Sequence, residues 1–336
     1  MATPPDAALQ RLGQIQGAGD TRALFLKLGA AEVLDAFQRT TVFKGKTRER
    51  NIRNGKSVAF PITGKMSARY HSAGVPILGE GNSPSDLNER IIELDGLMIA
   101  DTAVAEIDEL MAYYDVRQIY TTELGRALAY EYDKRVARMV YAAAGKTTEP
   151  LAKAGNAGRI GATKTLTAGY AAATNQAKGD ELVDALFAAR VNFESKDVPT
   201  DSLYAVFPPT EYFCISQSSR AINADFNGAS GANGSIATGR TLQVAGIPVF
   251  MSNHVTQAAY TNVTGDTNTD YAQDLSKCRG LVFNKEAVGV VTLMEPSLQV
   301  TSGDWNIQMQ ATLMVARQAL GMGVLRAEAA YRVNIP

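Results

Sequence analysis

Cysteine, histidine and tryptophan are scarce in this chain: two, two and one in 336 residues. Cys214 and Cys278 are too few for a disulfide framework and, by themselves, too few for a zinc site. They fit a reducing compartment, where such thiols are ordinarily buried. His71 and His254 each lack a second histidine or cysteine at ligand spacing, so both read as surface or packing residues. No apolar run reaches the roughly 18 residues that a membrane-spanning helix needs. The opening Met-Ala-Thr-Pro-Pro-Asp has neither a basic start nor an apolar core, and no signal peptide is expected. Asn262-Val263-Thr264 matches a glycosylation sequon, which carries no meaning in a protein read as not secreted. An excess of charge is missing too. The formal net charge is -1, which argues against a protein built to grip nucleic acid over a large surface.

Catalytic motifs fail one by one. Gly145-Lys146-Thr147 resembles the end of a phosphate-binding loop, but the position that needs the first glycine is Val140. Gly155, Gly158 and Gly161 do not have dinucleotide-binding spacing, and no clear strand precedes them. Gly228-Ala229-Ser230-Gly231-Ala232 misses the nucleophile elbow at its last residue. Acidic pairs such as Asp108-Glu109 have the groups for acid–base work, yet they lie in a general acidic run and read as a solvated face. No catalytic residue, cofactor or metal ligand is expected.

Hydrophobic residues make up 46% and charged residues 20%, the balance of a folded chain. The length suits two or three domains. The most regular stretch runs from Tyr114-Asp115-Val116 to Gly145. Val116, Ile119, Tyr120, Leu124, Ala127, Leu128, Tyr132, Val136, Met139 and Val140 follow the three-then-four spacing of one helical stripe. Arg117, Glu123, Arg126, Glu131, Lys134 and Arg138 fall opposite. Asp115 suits the N-cap, with Gln118 completing a capping box, and Gly145 suits a left-handed close. Such a helix would be about 43 Å long. It reads as the spine of a flat domain or as a long core helix of an ordinary enzyme.

Before that helix, residues 1 to about 20 read as a mobile tail. Leu24-Phe25-Leu26 and a short helix with Val33, Leu34 and Phe37 on one side form an apolar arm. That patch is too small to bury itself and needs cover from this chain or from a neighbour. From Lys44 to Arg69 the charge is basic: Lys44, Lys46, Arg48, Arg50, Arg53, Lys56, Lys65 and Arg69 against Glu49. Within this stretch Val58, Phe60 and Ile62 alternate as in a half-buried strand, which Pro61 confines to an edge or a two-stranded ribbon. A Gly/Ser/Pro/Asn tip follows, and a return strand places Ile92 and Leu94 opposite Glu93 and Asp95. The charge is acidic from Glu80 to Glu109. The result is a long hairpin, marginal alone in water and expected to lean on another surface. On the charge pattern alone, one reading is partial neutralisation inside the hairpin.

After the helix, Leu151 to Gly169 reads as a hairpin or loop. Asp180 to Phe193 reads as a helix with Leu182, Val183, Leu186 and Val191 inward. Leu203 to Phe207 is an apolar strand, and Thr210 caps a third helix that ends near Arg220. This alternation marks an α/β unit. Asn227 to Gly239 is a loop, Leu242 to Val249 and Leu281 to Leu293 are strands around a polar loop near Thr261 to Asp274, and Ile307 to Val324 holds further strand. No internal repeat is apparent.

Five groups of residues, in order along the chain, resemble the major capsid proteins of short-tailed, T-seven-like (autographivirus) bacteriophages. They are Leu24-Phe25-Leu26-Lys27 with Glu32-Val33-Leu34 and Ala36-Phe37; Gly55-Lys56-Ser57 leading to Phe60-Pro61; Tyr114-Asp115-Val116-Arg117 with Tyr120-Thr121 and Leu124-Gly125; Ala287-Val288-Gly289; and Leu325-Arg326 with Glu328-Ala329-Ala330. Residues 180 to 280 match least. The resemblance implies an α+β chain with the Hong-Kong-ninety-seven-type capsid fold. Residues 1–55 would be the N-terminal arm and 56–100 the extended loop. Residues 101–180, with a spine helix over 115–145, and 291–336 would form the peripheral domain, and 181–290 the axial domain.

The function so implied is that of a major head protein. It would self-assemble into hexamers and pentamers of an icosahedral shell around double-stranded DNA. Assembly would take place in the host bacterial cytoplasm, and the protein would reside in the virion capsid. Its partners would be its own copies, a portal protein and, on some heads, a decoration protein. The residues before Leu24 are too few for a scaffolding region, so a separate scaffolding protein is expected. DNA contact would be weak and non-specific, and no membrane is involved. The expected intersubunit contacts are Leu24, Phe25, Leu26, Val33, Leu34 and Phe37 on the arm. The cations Lys44, Lys46, Arg48, Arg50, Arg53 and Lys56 join them, because the family geometry lays the extended loop across an adjacent subunit. Two alternatives remain at this point: an encapsulin-like nanocompartment shell, and a soluble α/β enzyme with an unrecognised site.

Overall fold

The computed structural model describes residues 41–64, 68, 70–74, 76–77, 87–106, 116–148, 159–218, 243–255, 257–301 and 304–336. The arm residues Leu24 to Phe37, the cap Asp115, most of the hairpin tip and the loop 227–239 lie outside that set. Helix α1 (Val116–Gly145) has 30 residues, which makes it about 45 Å long. Leu124, Leu128, Tyr132, Val136, Met139 and Val140 are buried as their spacing predicts. The stripe is not covered along its whole length, however. Ile119, Tyr120 and Ala127 are exposed, and no described residue packs over them enough to bury them.

The second half of α1 departs from the amphipathic reading in the opposite sense. It is enclosed on every side because two sheets flank it, and burial extends to Asp133 and to Arg138, which the helical wheel puts on the polar face. Gly145 is not left-handed either, since its φ is not positive. The helix closes with Lys146 N–H donating to the Ala143 carbonyl at 3.2 Å. A Cβ on Gly145 would lie 2.7 Å from Nη1 of Arg332, so the glycine serves close approach.

The first sheet has four strands in the order β1, β10, β11, β4. These are β1 (Arg48–Asn51), β10 (Val288–Val300), β11 (Ala311–Val324) and β4 (Met98–Ala105). β1 runs parallel to β10, and the other neighbours are antiparallel. Met314, Ala316, Gln318 and Leu320 point to α1 and are buried, with Gln318 Nε2 donating to the Leu128 carbonyl at 3.5 Å. Leu313, Val315 and Arg317 alternate onto the other face and stay partly exposed, as the two-residue period of a strand requires.

The second sheet has six strands in the order β5, β12, β9, β6, β8, β7. They are β5 (Ala162–Thr165), β6 (Leu203–Phe207), β7 (Gln243–Val244), β8 (Ile247–Met251), β9 (Cys278–Asn284) and β12 (Ala330–Asn334). Helices α2 (Asn175–Ser195) and α3 (Pro209–Gln217) pack on each other. α2 begins earlier than its apolar pattern suggests, because the Thr174 side chain accepts from Ala177 N–H at 3.4 Å and caps it. Val191 points outward and is 65% exposed, while Ala189 and Phe193 supply the inward contacts. Thr210 is not the cap of α3. Pro208 holds that place and Pro209 follows inside the first turn, where a missing N–H costs nothing.

Two single-strand readings become pairs. β7 and β8 are a hairpin, turned at Ala245 and Gly246 with φ of 52° and 74°, the primed geometry that suits strand twist. Leu281 to Leu293 is cut by the turn after Asn284, where Ala287 N–H donates to the Asn284 carbonyl at 2.9 Å. The two halves, β9 and β10, therefore belong to different sheets. At the far end, β12 leaves the unit of β10 and β11 and joins the second sheet, pairing with β5 and β9. A last helix, α4 (Asp304–Met309), links β10 to β11.

The basic and acidic stretches do pair as a ribbon. β2 (Ser57–Thr63) and β3 (Leu87–Glu93) form a separate two-stranded antiparallel sheet, with Pro61 opposite Glu89. Its root leans on the first sheet through Phe60, Ile92, Val291 and Leu325, a small apolar cluster of its own. Gly321 and Gly323 make the approach possible. A Cβ on Gly321 would run into the Glu93 carbonyl, and one on Gly323 would lie 2.8 Å from Ile92 Cγ1. Among the described residues no helix is long and apolar enough to cross a membrane.

Candidate interaction surfaces

Six residues after Phe37, the last of the apolar arm, Phe43 enters the main core, fully buried and stacked on Phe283 at 5.7 Å. The backbone there is held by one carboxylate of α1. Asp133 accepts from Val42 N–H at 2.7 Å and Phe43 N–H at 3.3 Å, and His254 Nδ1 lies 2.8 Å from it. The Asp133 side chain is 0% exposed. His254 also meets the Tyr130 ring edge-on at 4.8 Å, so it is a packing residue with a fixed partner. Lys46 is drawn into the same corner. Its Nζ donates to the Val42 carbonyl at 2.5 Å and sits 3.3 Å above the Phe250 ring. Burial lowers its pKa to about 8 against the pull of Asp133. Of the cations expected at an intersubunit contact, Lys46 is thus drawn into its own chain's corner by both a hydrogen bond and a ring.

The root of the hairpin is held by the next charged turn of α1. Arg135 stands 3.7 Å from Asp95 and 2.9 Å from Asp266, and all three side chains are largely buried. Tyr271 Oη donates to Asp95 at 2.7 Å and accepts from Met322 N–H at 3.1 Å. Thr267 N–H donates to the second Asp95 oxygen at 3.0 Å. Burial raises the Asp95 pKa above the usual carboxylate range, although the Tyr271 and Thr267 bonds and Arg135 oppose it. Beside this group the Arg138 guanidinium lies 3.3 Å over the Tyr260 ring. In the second sheet's layer, Tyr170 Oη donates to Glu211 at 2.5 Å, and Arg279 stands 3.3 Å from the same carboxylate.

These buried charges were invisible to the helical wheel and to the local charge count. The one available signal for Asp133 was its place between Tyr132 and Val136 in a buried stretch. For Asp95 it was the apolar pair Ile92 and Leu94 just before it. Both cysteines are buried, and burial pushes the Cys278 thiol up to about 12. Such thiols stay protonated at neutral pH and act as packing groups. Among the described residues no group of three or more His, Cys, Asp or Glu is placed to hold a metal ion.

The remaining cations are outside. Arg48, Arg50, Arg53 and Lys56 are exposed, and Lys44 is half-buried. Arg48 and Arg50 share one face of β1, and each guanidinium lies 5.8 Å from the Phe60 ring. Besides Glu49, which lies between Arg48 and Arg50 on β1, the exposed acids nearest in sequence are Glu89 and Glu93 on β3, Asp101 on β4, and Glu106 just beyond it. No ion pair joins Arg48, Arg50, Arg53 or Lys56 to any of these acids. The described part of the hairpin therefore does not neutralise itself. His71 is exposed in the tip region.

A long helix laid between two sheets, an outlying two-stranded hairpin, and a chain that returns to both sheets at its end define the Hong-Kong-ninety-seven-type shell fold. The family follows from the sequence: residues 59–334 match the model of the Gp10A-like major capsid proteins, and the chain belongs to that family. It is 31% identical to the major capsid protein of Escherichia phage T7 over 96% of each chain. The major capsid protein of Enterobacteria phage T3 is 29% identical over 96% of this chain and 95% of its own. The capsid structure of cyanophage P-SCSP1u matches with a TM-score of 0.77 and 35% identity, covering 100% of this chain and 99% of that one. This is a structural capsid protein of a tailed phage, the major component of an icosahedral head. The nanocompartment and enzyme alternatives are thereby set aside.

Proposed function

We propose that the chain forms hexamers and pentamers that close into a shell around double-stranded DNA, after assembly in the host cytoplasm with scaffolding and portal proteins. On this reading the arm (residues 1–55) and the extended loop (56–100) reach neighbouring subunits. The peripheral domain comprises 101–180 and 291–336, and the axial domain 181–290. No catalytic step or cofactor takes part. The observation that carries this reading is unsatisfied surface on a stable core. Among the described residues Arg48, Arg50, Arg53 and Lys56 have no ionic partner, and Ile99, Phe187 and Val191 are each at least half exposed. Single exposed pairs are worth only about 0–1 kcal/mol, but repetition over a shell turns them into orientation. With a net charge of -1, the chain holds DNA only weakly and without sequence preference.

The test is negative-stain microscopy of the chain co-expressed with its scaffolding protein, which should give closed particles. Deleting residues 1–38 removes Leu24, Phe25, Leu26, Val33, Leu34 and Phe37 but leaves Phe43 in place. That variant should be soluble and folded by circular dichroism, yet give no closed shells. Normal particles from it would show that the arm contacts are dispensable.

A further inference from the structure

The register of the first sheet carries one step more. Arg48 pairs with Gly289 and Arg50 with Val291, which pair in turn with Gly323 and Gly321. Down the same side of β11 come Arg317 and Val315, opposite Ile99 and Asp101 of β4. Paired residues share a face and alternate residues along a strand share it too. Arg48 and Arg50 therefore border the same face as Asp101, the face turned away from α1. On this face one edge strand carries Arg48 and Arg50 and the other carries Asp101, while Glu49, between the two arginines, falls on the opposite face. Three strand spacings separate the two edges, about 14 Å, beyond ion-pair reach and beyond the screening length at physiological salt. Among the described residues no strand pairs with the outer edge of β1 or of β4.

We propose that the basic edge of one copy, Arg48, Arg50, Arg53 and Lys56, seats against the acidic edge of a second copy at Asp101 and Glu106. The proposal rests on the shell reading and adds the contact's polarity. A two-fold arrangement that joins the same edge of both copies would set like charge against like and is disfavoured. A head-to-tail arrangement sets opposite charges together and, being heterologous, gives rings where the rotation between copies closes. Leu97 and Ile99, 54% and 56% exposed, stand beside Asp101. They give the arginine stems apolar surface to cover while the charged heads reach the acids. Seating on Phe60 holds the two guanidinium groups ready for that role.

Charge exchange tests this directly. One variant carries Arg48→Glu, Arg50→Glu and Arg53→Glu; a second carries Asp101→Lys and Glu106→Lys; a third carries all five changes. Assembly is measured by sedimentation and negative stain at low salt, with circular dichroism to establish folding. Each one-sided variant should give about tenfold fewer shells or worse, and mixing the two one-sided variants should restore capsomers. The five-fold variant should recover most of the wild-type yield. Normal assembly of either one-sided variant overturns the proposal, as does failure of both the mixture and the five-fold variant. If a one-sided variant is misfolded, Arg48→Gln, Arg50→Gln and Arg53→Gln replace its glutamates; this neutral set should assemble less well than wild type, and wild-type yield from it overturns the proposal. A wild-type chain that never forms shells refutes the shell reading instead.

Discussion

Asp133→Ala should cost about 3–5 kcal/mol of stability and abolish shell formation at temperatures where the wild type assembles. The substitution removes the acceptor of Val42 N–H and Phe43 N–H and the partner of His254. Two amides and an imidazole would then lie in a buried corner with nothing to bond. A buried donor left unpaired loses its hydration without replacement, which is why the loss exceeds the worth of an ordinary hydrogen bond. Asp133→Asn keeps one acceptor oxygen and the volume, so it should lose less. Chemical denaturation of the unassembled subunit gives the first number, and particle counts give the second. A subunit that assembles normally with alanine at this position would mean that Phe43 alone fixes the exit of the arm.

Arg135→Met should be nearly as damaging, and its cost should depend on pH. The variant keeps the stem packing but leaves Asp95 and Asp266 facing each other without a counter-charge. Asp95 already has a raised pKa in the folded state. A carboxyl raised on folding contributes its stability below the unfolded value, about 3.9, and that contribution is lost as pH rises through the folded value. Removing Arg135 raises the folded value further. The gap between variant and wild type should therefore be small near about pH 4 and widen toward neutrality, where about 3–5 kcal/mol is expected for breaking a buried ion group. Denaturation midpoints across that range measure it. A gap that is constant with pH would assign the role of Arg135 to packing alone.

The parts of the fold that were legible in the sequence are those governed by local period. The stripe of α1 from Leu124 to Val140 and the alternation of Val58, Phe60 and Ile62 follow from geometry that a one-sided element cannot avoid. The ribbon itself was readable because Pro61 admits few other settings. Elements that depend on distant partners were not. Nothing near Arg138 announces the Tyr260 ring that covers it, more than a hundred residues along. The break between β9 and β10 is short, and apolar residues on both sides hide the change of sheet. The turn at Ala245 takes a left-handed residue that is not glycine, against its steric preference. For the surfaces, charge was visible and its pairing was not. Lys46 and Arg48 stand two residues apart with the same charge, yet one is half-buried 3.3 Å over the Phe250 ring and the other is exposed, 5.8 Å from the Phe60 ring.

Asp133 and Arg135 are separated by a single residue on α1. One fixes the root of the arm and the other the root of the extended hairpin. The segment through Phe43 and the described root of the hairpin are therefore anchored at neighbouring points of one helix. A small rotation of that helix would move both anchored segments together.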